Sequence, residues 1–181
     1  FEKYSVRRYG FHGTSHKFVS GEAIKCLNLD PEKAKVIVCH LGNGASVSAV
    51  MNGKCVDTSM GLTPLEGLIM GTRSGDVDPG VLEFIAEQEG LDIKGILNML
   101  NKKSGVLGLS GVSSDFRDIA AAAEEGNQQA ADSLDVYCYR VAKYVGSYVA
   151  AMNGVDAIVF TAGLGENDKD TRAKICSYFG Y

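Results

Sequence analysis

Lys35-Val36-Ile37-Val38-Cys39-His40, Leu41-Gly42-Asn43-Gly44, Ala45-Ser46-Val47-Ser48-Ala49-Val50-Met51 and Asn52-Gly53-Lys54-Cys55-Val56-Asp57-Thr58 decide how this chain folds. The first run is rich in β-branched residues, which pack well on a pleated surface. It ends in a glycine turn. The run from Ala45 to Met51 alternates small polar and apolar residues, as a strand with two different faces does. Asn52-Gly53 is the strongest short hairpin signal, because a type I′ turn needs positive φ at both central positions. Lys35 to Met60 is therefore expected to form a strand, a glycine turn and a β-hairpin.

Working outward, a helix is expected from about Ser15, whose hydroxyl can cap the first turn. Phe18, Val19, Ala23, Ile24 and Leu27 follow at helical spacing. Gly61 to Gly80 and Ser104 to Ser114 are glycine-rich and read as irregular. Helical patterns occupy Val81–Glu89, Ile93–Lys103, Phe116 to about Glu125, and a long amphipathic stretch, Asn127–Met152. A last strand, Ala157–Thr161, runs into a second glycine turn, Ala162-Gly163-Leu164-Gly165-Glu166-Asn167. A final helix over Lys169–Phe179 is capped by Asn167 or Asp168. Strands alternating with helices late in the chain favour an α/β fold, a mixed sheet of a hairpin plus parallel strands covered by helices. One domain is expected to span residues 1–181.

Composition narrows the function classes. The formal net charge of −4 argues against a partner held by its phosphate backbone, so no nucleic acid is expected. It leaves a nucleotide open, since a small ligand needs only a few local donors. No apolar run approaches the length of a membrane span. Five cysteines (Cys26, Cys39, Cys55, Cys138 and Cys176) lack metal-knuckle or redox-pair spacing and read as reduced thiols in the cytoplasm. The chain opens at Phe1 without an initiator Met and stops at Tyr181, so both ends read as cuts within a longer protein.

Two strands end in glycine turns, at Gly42–Gly44 and Gly163–Gly165. Glycine lets backbone N–H groups approach a phosphate closely. Ligands of open α/β sheets collect at the carboxyl ends of strands. The two turns could thus serve phosphates and nucleoside in one cleft, or could simply be tight connections. Arg73, in Gly71-Thr72-Arg73-Ser74-Gly75-Asp76, could aim its planar fork at a phosphoryl group or pair with Asp76 or Asp78. His12, between Gly10 and Gly13 ahead of a helix, could donate to an anion. His16 reads as a structural hydrogen bonder. With His40 the only other histidine, a zinc site is not expected. Asp115 could cap the helix of Phe116 and Arg117. Alternatively it could accept from a ribose while Arg117 lies over a base.

These strings resemble a known family. Arg8-Tyr9-Gly10-Phe11-His12-Gly13-Thr14-Ser15-His16, His40-Leu41-Gly42-Asn43-Gly44-Ala45-Ser46, Thr58 to Gly67 with Gly71 to Asp76, Ser113 to Arg117, and Phe160 to Asn167 are similar to acetate kinase segments, in the family's order. The resemblance implies a ribonuclease H-like, actin-like ATPase fold and an ATP:acetate phosphotransferase that also uses acetyl phosphate and ADP. It implies Mg2+, the cytoplasm and a homodimer. Carried to this sequence, His12 and Arg73 would stabilise the transferring phosphoryl group. His40, Leu41, Gly42, Asn43 and Gly44 would contact nucleotide phosphates. Asp115, Phe116, Arg117, Gly163, Leu164, Gly165, Glu166 and Asn167 would hold adenosine. The family's N-terminal domain, its catalytic aspartate and its metal ligands have no counterparts here, so this stretch alone is expected to be inactive. A propionate or other short-chain acyl kinase and a non-catalytic actin-like nucleotide-binding module remain open.

Overall fold

A computed structural model describes residues 1–180. In chain order the elements are α1 (Gly13–Cys26), β1 (Lys35–Leu41), β2 (Ala45–Met51), β3 (Lys54–Thr58), α2 (Pro79–Glu89), α3 (Ile93–Lys102), α4 (Gly105–Ser110), α5 (Phe116–Glu124), α6 (Gln128–Met152), β4 (Ala157–Thr161), α7 (Ala162–Asn167) and α8 (Lys169–Cys176). A 3-10 turn, Ser177–Phe179, follows α8.

The four strands form one mixed sheet in the order β3-β2-β1-β4. β1 runs antiparallel to β2 and parallel to β4. The hairpin turn behaves as its sequence requires, with φ of 56° at Asn52 and 71° at Gly53. A register shift between Ala49 and Val50 interrupts the β2–β3 ladder.

Strand alternation sends successive residues of β1 to opposite faces. Val36 and Val38 join Val50 and Ile24 in a small core under α1. Ile37, Cys39 and Leu41 join Val47, Ala49, Tyr137, Val141 and Val145 in the main core, beneath α6. Helix α6 presents Tyr137, Cys138, Val141, Val145, Tyr148 and Met152 along one stripe, and Asn127 caps it by accepting from the Ala130 amide. With apolar cores on both faces, the sheet is fixed in register. A one-residue slip in β1 would drive His40 into the main core.

Three expectations need correction. Helix α1 begins at Gly13, two residues before Ser15, and its cap position is His12. Ser15 spends its hydroxyl on His40 instead. The stretch read as irregular after Ser104 contains α4. The segment after β4 is a short helix, α7, rather than an open glycine turn. There Glu166 reaches back to accept from the Ala162 amide and the Thr161 hydroxyl. Of the two caps expected for the last helix, Asp168 is the one used, accepting from the amides of Asp170 and Thr171.

Candidate active site at the carboxyl edge of the sheet

Because β1 and β4 are parallel neighbours, with His40 opposite Thr161, both glycine segments leave the sheet at the same edge. They touch. A β-carbon built on Gly42 would stand 3.7 Å from the Ala162 β-carbon. On the other side, the Gly71 amide donates to the Asn43 carbonyl over 2.9 Å. A β-carbon on Gly71 would collide with the Asn43 side chain and stand 3.2 Å from the Ser114 carbonyl oxygen. Gly42–Gly44 is therefore the centre of a contiguous edge, with α7 on one flank and the segments carrying Arg73 and Asp115 on the other.

Arg73 and His12 meet at Gly44. A β-carbon there would lie 3.3 Å from Arg73 Nη1 and 3.8 Å from His12 Nε2. Only glycine leaves this space open. Among the described residues no carboxylate lies within ion-pair distance of Arg73. Asp76 is bound instead by Arg140, by the Tyr144 hydroxyl and by the Gly67 amide. Asp78 caps α2. The loop is held at many points: Met70 donates to the Arg73 carbonyl, Ser74 to Leu100, and α3–α4 residues Ser104, Val106 and Leu107 donate to Thr72, Met70 and Gly71.

The histidines form a cluster that sequence spacing alone does not reveal. His12 and His16 are one helical turn apart, a rise of roughly 6 Å. Ser46 and Ser48 are two residues apart on one face of β2, roughly 6.6 Å. The two spacings match, so the rings reach the hydroxyls in register. His12 Nδ1 lies 2.8 Å from Ser46 Oγ, His16 Nε2 lies 2.7 Å from the same oxygen, and His16 Nδ1 lies 2.8 Å from Ser48 Oγ. His40, opposite Ser46 in the ladder, stacks on His12 with centroids 4.0 Å apart and meets Ser15 Oγ through Nδ1 at 2.9 Å. The alternating Ser46-Val47-Ser48 facing a His-x-x-x-His helix start was the readable signal. Hydroxyls occupy His12 Nδ1, His40 Nδ1 and both His16 nitrogens. Among the described residues no cluster of three or more His, Cys, Asp or Glu could hold a metal ion.

Backbone strain marks the same place. His12 has φ of 60°, in the left-handed region a non-glycine residue rarely adopts. Burial, with the neighbouring His40 and Arg73, lowers the His12 pKa to about 4, and burial with His40 and His12 does the same for His16. Burial also lowers that of His40. At neutral pH His12 and His16 are uncharged donors and acceptors rather than cations.

A stability effect follows. The unfolded chain takes up protons on these rings near the ordinary value of 6.5, whereas the folded chain does so only near 4. Their contribution is fully present above about pH 6.5 and is lost as pH falls from there toward 4. His16 is 4% exposed, and its share reaches about 2–3 kcal/mol. Half-buried His12 gives less because solvent screens it. The urea midpoint is expected to fall between pH 7.5 and 5, and His16→Gln to flatten that decline.

The remaining candidates divide by where their side chains go. Leu41 is fully buried in the main core, Phe116 packs edge-on against Tyr137 at 4.6 Å, and Leu164 packs on the same core. Leu41 and Phe116 are thereby withdrawn from a ligand as side chains, while Leu164 stays partly exposed. Asp115 caps α5 through the Arg117 amide and also binds the Arg117 guanidinium at 2.6 and 3.0 Å. That pairing and the amide hydrogen bond hold the Asp115 carboxyl down at about 2. Asn167 donates to the Gly163 carbonyl within α7. Gly163 and Asn43 are exposed at the edge, while Gly165 is buried, close to the Cys39 carbonyl oxygen.

Comparison with known proteins identifies the family. The model of the acetokinase family matches residues 1–181. The chain is 69% identical to an acetate kinase of Agathobacter rectalis over 181 residues, covering all of this chain and 46% of that protein. It superposes on the crystal structure of Porphyromonas gingivalis acetate kinase with a TM-score of 0.95 at 58% identity, covering 97% of this chain and 44% of that one. A propionate kinase from Francisella tularensis gives a TM-score of 0.91 at 50% identity, over 97% of this chain and 45% of that one. The chain thus spans less than half the length of the relatives it matches. Over all its residues, it belongs to the acetokinase family.

Proposed function

We propose that this chain is the nucleotide-side half of an ATP:acetate phosphotransferase. The observation that carries the reading is the convergence of Arg73 and His12 on the open space at Gly44. In phosphoryl transfer the bond from the γ-phosphorus to the ADP oxygen breaks and one to an acetate oxygen forms, giving acetyl phosphate and ADP. Charge spreads over the equatorial oxygens, so positioning and electrostatics supply most of the catalysis. The guanidinium of Arg73 offers a rigid fork to two of those oxygens. Neutral His12 offers one N–H. The amides of Asn43 and Gly44 are offered to the phosphates, Gly44 with no side chain in the way, while the Gly42 amide closes the turn onto the Gly44 carbonyl, and His40 keeps the His12 ring in place.

On this reading the adenosine lies along the flanks, between Gly163–Asn167 and Asp115–Arg117. Arg117 then leaves Asp115 to cover the base, freeing a carboxylate for ribose hydroxyls. Mg2+ would neutralise the β- and γ-oxygens, with its protein ligands outside this chain. The family resemblance supports a cytoplasmic homodimer for the full-length protein, and supports residues 1–181 as one nucleotide-binding domain that is inactive alone. No described helix is long and apolar enough to cross a membrane.

The test is full-length protein with ATP, Mg2+ and acetate, the acyl phosphate trapped as a hydroxamate. Acetyl hydroxamate is expected, and none from residues 1–181 alone. Propionate gives a second arm, because one methylene in an acyl pocket is worth only about 1–3 kcal/mol. Nucleotide binding without product from either acid would leave a binding module and contradict the proposal.

A further inference from the structure

The hydroxyl of Ser46 stands between two imidazoles, His12 Nδ1 at 2.8 Å and His16 Nε2 at 2.7 Å. A hydroxyl has one proton to give and lone pairs to receive with, and a neutral imidazole has one N–H and one acceptor nitrogen. If Ser46 donates to one ring, it must accept from the other. Behind His16, Ser48 Oγ at 2.8 Å from Nδ1 closes the chain. Only two arrangements satisfy all three hydrogen bonds and also use the buried Ser46 proton; were Ser46 to accept from both rings, that proton would be left without a partner. In the first, Ser48 donates to His16 Nδ1, His16 Nε2–H donates to Ser46, and Ser46 donates to His12 Nδ1. His12 then carries its proton on Nε2, facing Gly44 and Arg73. In the second every bond reverses, and His12 shows Gly44 a bare lone pair, which would repel an anion.

We propose that His16, with Ser46 and Ser48, is a positioning relay that decides which nitrogen of His12 carries the proton, and that an anion seated at Gly44 selects the arrangement with His12 Nε2–H. The relay rests on the reading that His12 faces a phosphoryl group. Ser46 and Ser48 are fully buried and His16 nearly so. A polar network at that depth holds one arrangement only when every member is satisfied. The same strand face continues into Val50, in the small apolar core, so apolar packing was available at these positions. His40 stands outside the relay, its Nδ1 taken by Ser15, and serves as the plate on which the His12 ring lies.

The test reads the ring nitrogens directly, by long-range proton–nitrogen correlation on full-length protein with 15N-labelled histidine at pH 7.5. Inorganic phosphate and, separately, AMP-PNP with Mg2+ serve as probes. With either probe bound, His12 and His16 are both expected to carry the proton on Nε2. In Ser46→Ala, His12 is expected to become a mixture of tautomers. There kcat is expected to drop about tenfold or more while KM for ATP holds, since a wrongly protonated imidazole is costly even when correctly placed. His16→Leu should behave likewise. His16→Gln, whose amide can still donate to Ser46, should restore both the tautomer and most of the rate. Ser48→Ala supplies a second route to the mixture should His16→Leu fail to fold. A proton on His12 Nδ1 with a probe bound, or a His12 tautomer indifferent to all these changes, would overturn the relay. Coupled tautomers under phosphate without acyl phosphate formation would keep the relay and remove the kinase reading. Activity with uncoupled tautomers would do the reverse.

Discussion

Arg73→Ala in the full-length protein is expected to lower turnover about 10³-fold, by analogy with the arginines that stabilise phosphoryl-transfer transition states, while KM for ATP changes little. The size of the effect comes from the placement of the guanidinium. It lies beside Gly44, at the centre of the edge, and its charge is not spent on any described carboxylate. Asp76, its nearest acidic neighbour in sequence, is committed to Arg140 and Tyr144. An unpaired guanidinium stabilises charge that develops on an incoming group, and such an interaction matters most in the transition state. Ground-state affinity is shared with the glycine amides, so it should survive. Arg73→Lys keeps a charge but loses the fork, and only part of the rate is expected to return. Steady-state kinetics at saturating acetate check this, with thermal melting as the control for folding. A rise in KM with unchanged turnover would assign Arg73 to uniform binding instead.

Gly105→Ala is expected to destabilise the fold by about 3–5 kcal/mol, a magnitude reserved for substitutions that overlap backbone or force a strained φ. Gly105 opens α4 at φ of 66°. A β-carbon there would run into the Met70 carbonyl oxygen and stand 2.9 Å from those of Gly71 and Arg73. These are backbone atoms, and no rotamer change can relieve the overlap. The turn they belong to carries Arg73, so activity is expected to fall further than stability alone requires. Gly53→Ala is the matched control. Its φ is 71°, yet nothing lies within 4 Å of the added carbon, and about 1 kcal/mol of backbone strain is expected. Urea midpoints of the two variants separate conformational strain from steric overlap. Equal losses would show that the loop yields to the extra carbon.

The sheet was legible in sequence because its signals are local. β-branched runs, strict alternation and Asn52-Gly53 each fix one strand or turn, and the structure has β1 to β4 where they pointed. The long helix α6 was equally plain from its apolar stripe. What escaped depends on partners distant in sequence. Gly105-Val106-Leu107-Gly108-Leu109-Ser110 has poor intrinsic helix propensity. It is helical because Val106 is buried and because its amides find the carbonyls of Met70 and Gly71. Helix α7 depends on Glu166 folding back on its own first turn. Ser15 looked like a cap because caps are usually hydroxyls, but His40 competes for it across the sheet. The strings carrying Arg73, His12 and the glycines could be named from sequence. The Ser48–His16–Ser46–His12 chain could not, since it needs a helix and a strand laid side by side in matching register.

Hydrogen exchange on the full-length protein, read by mass spectrometry with increasing AMP-PNP and Mg2+, tests the proposed phosphate-binding edge most directly. Amides of Gly42–Gly44, Gly71–Arg73 and Gly163–Gly165 are expected to slow together, with one common midpoint, while the hairpin tip at Asn52-Gly53 stays unchanged. Protection confined to one of those three segments, or arriving at separate ligand concentrations, would contradict a single nucleotide site at the carboxyl ends of β1 and β4.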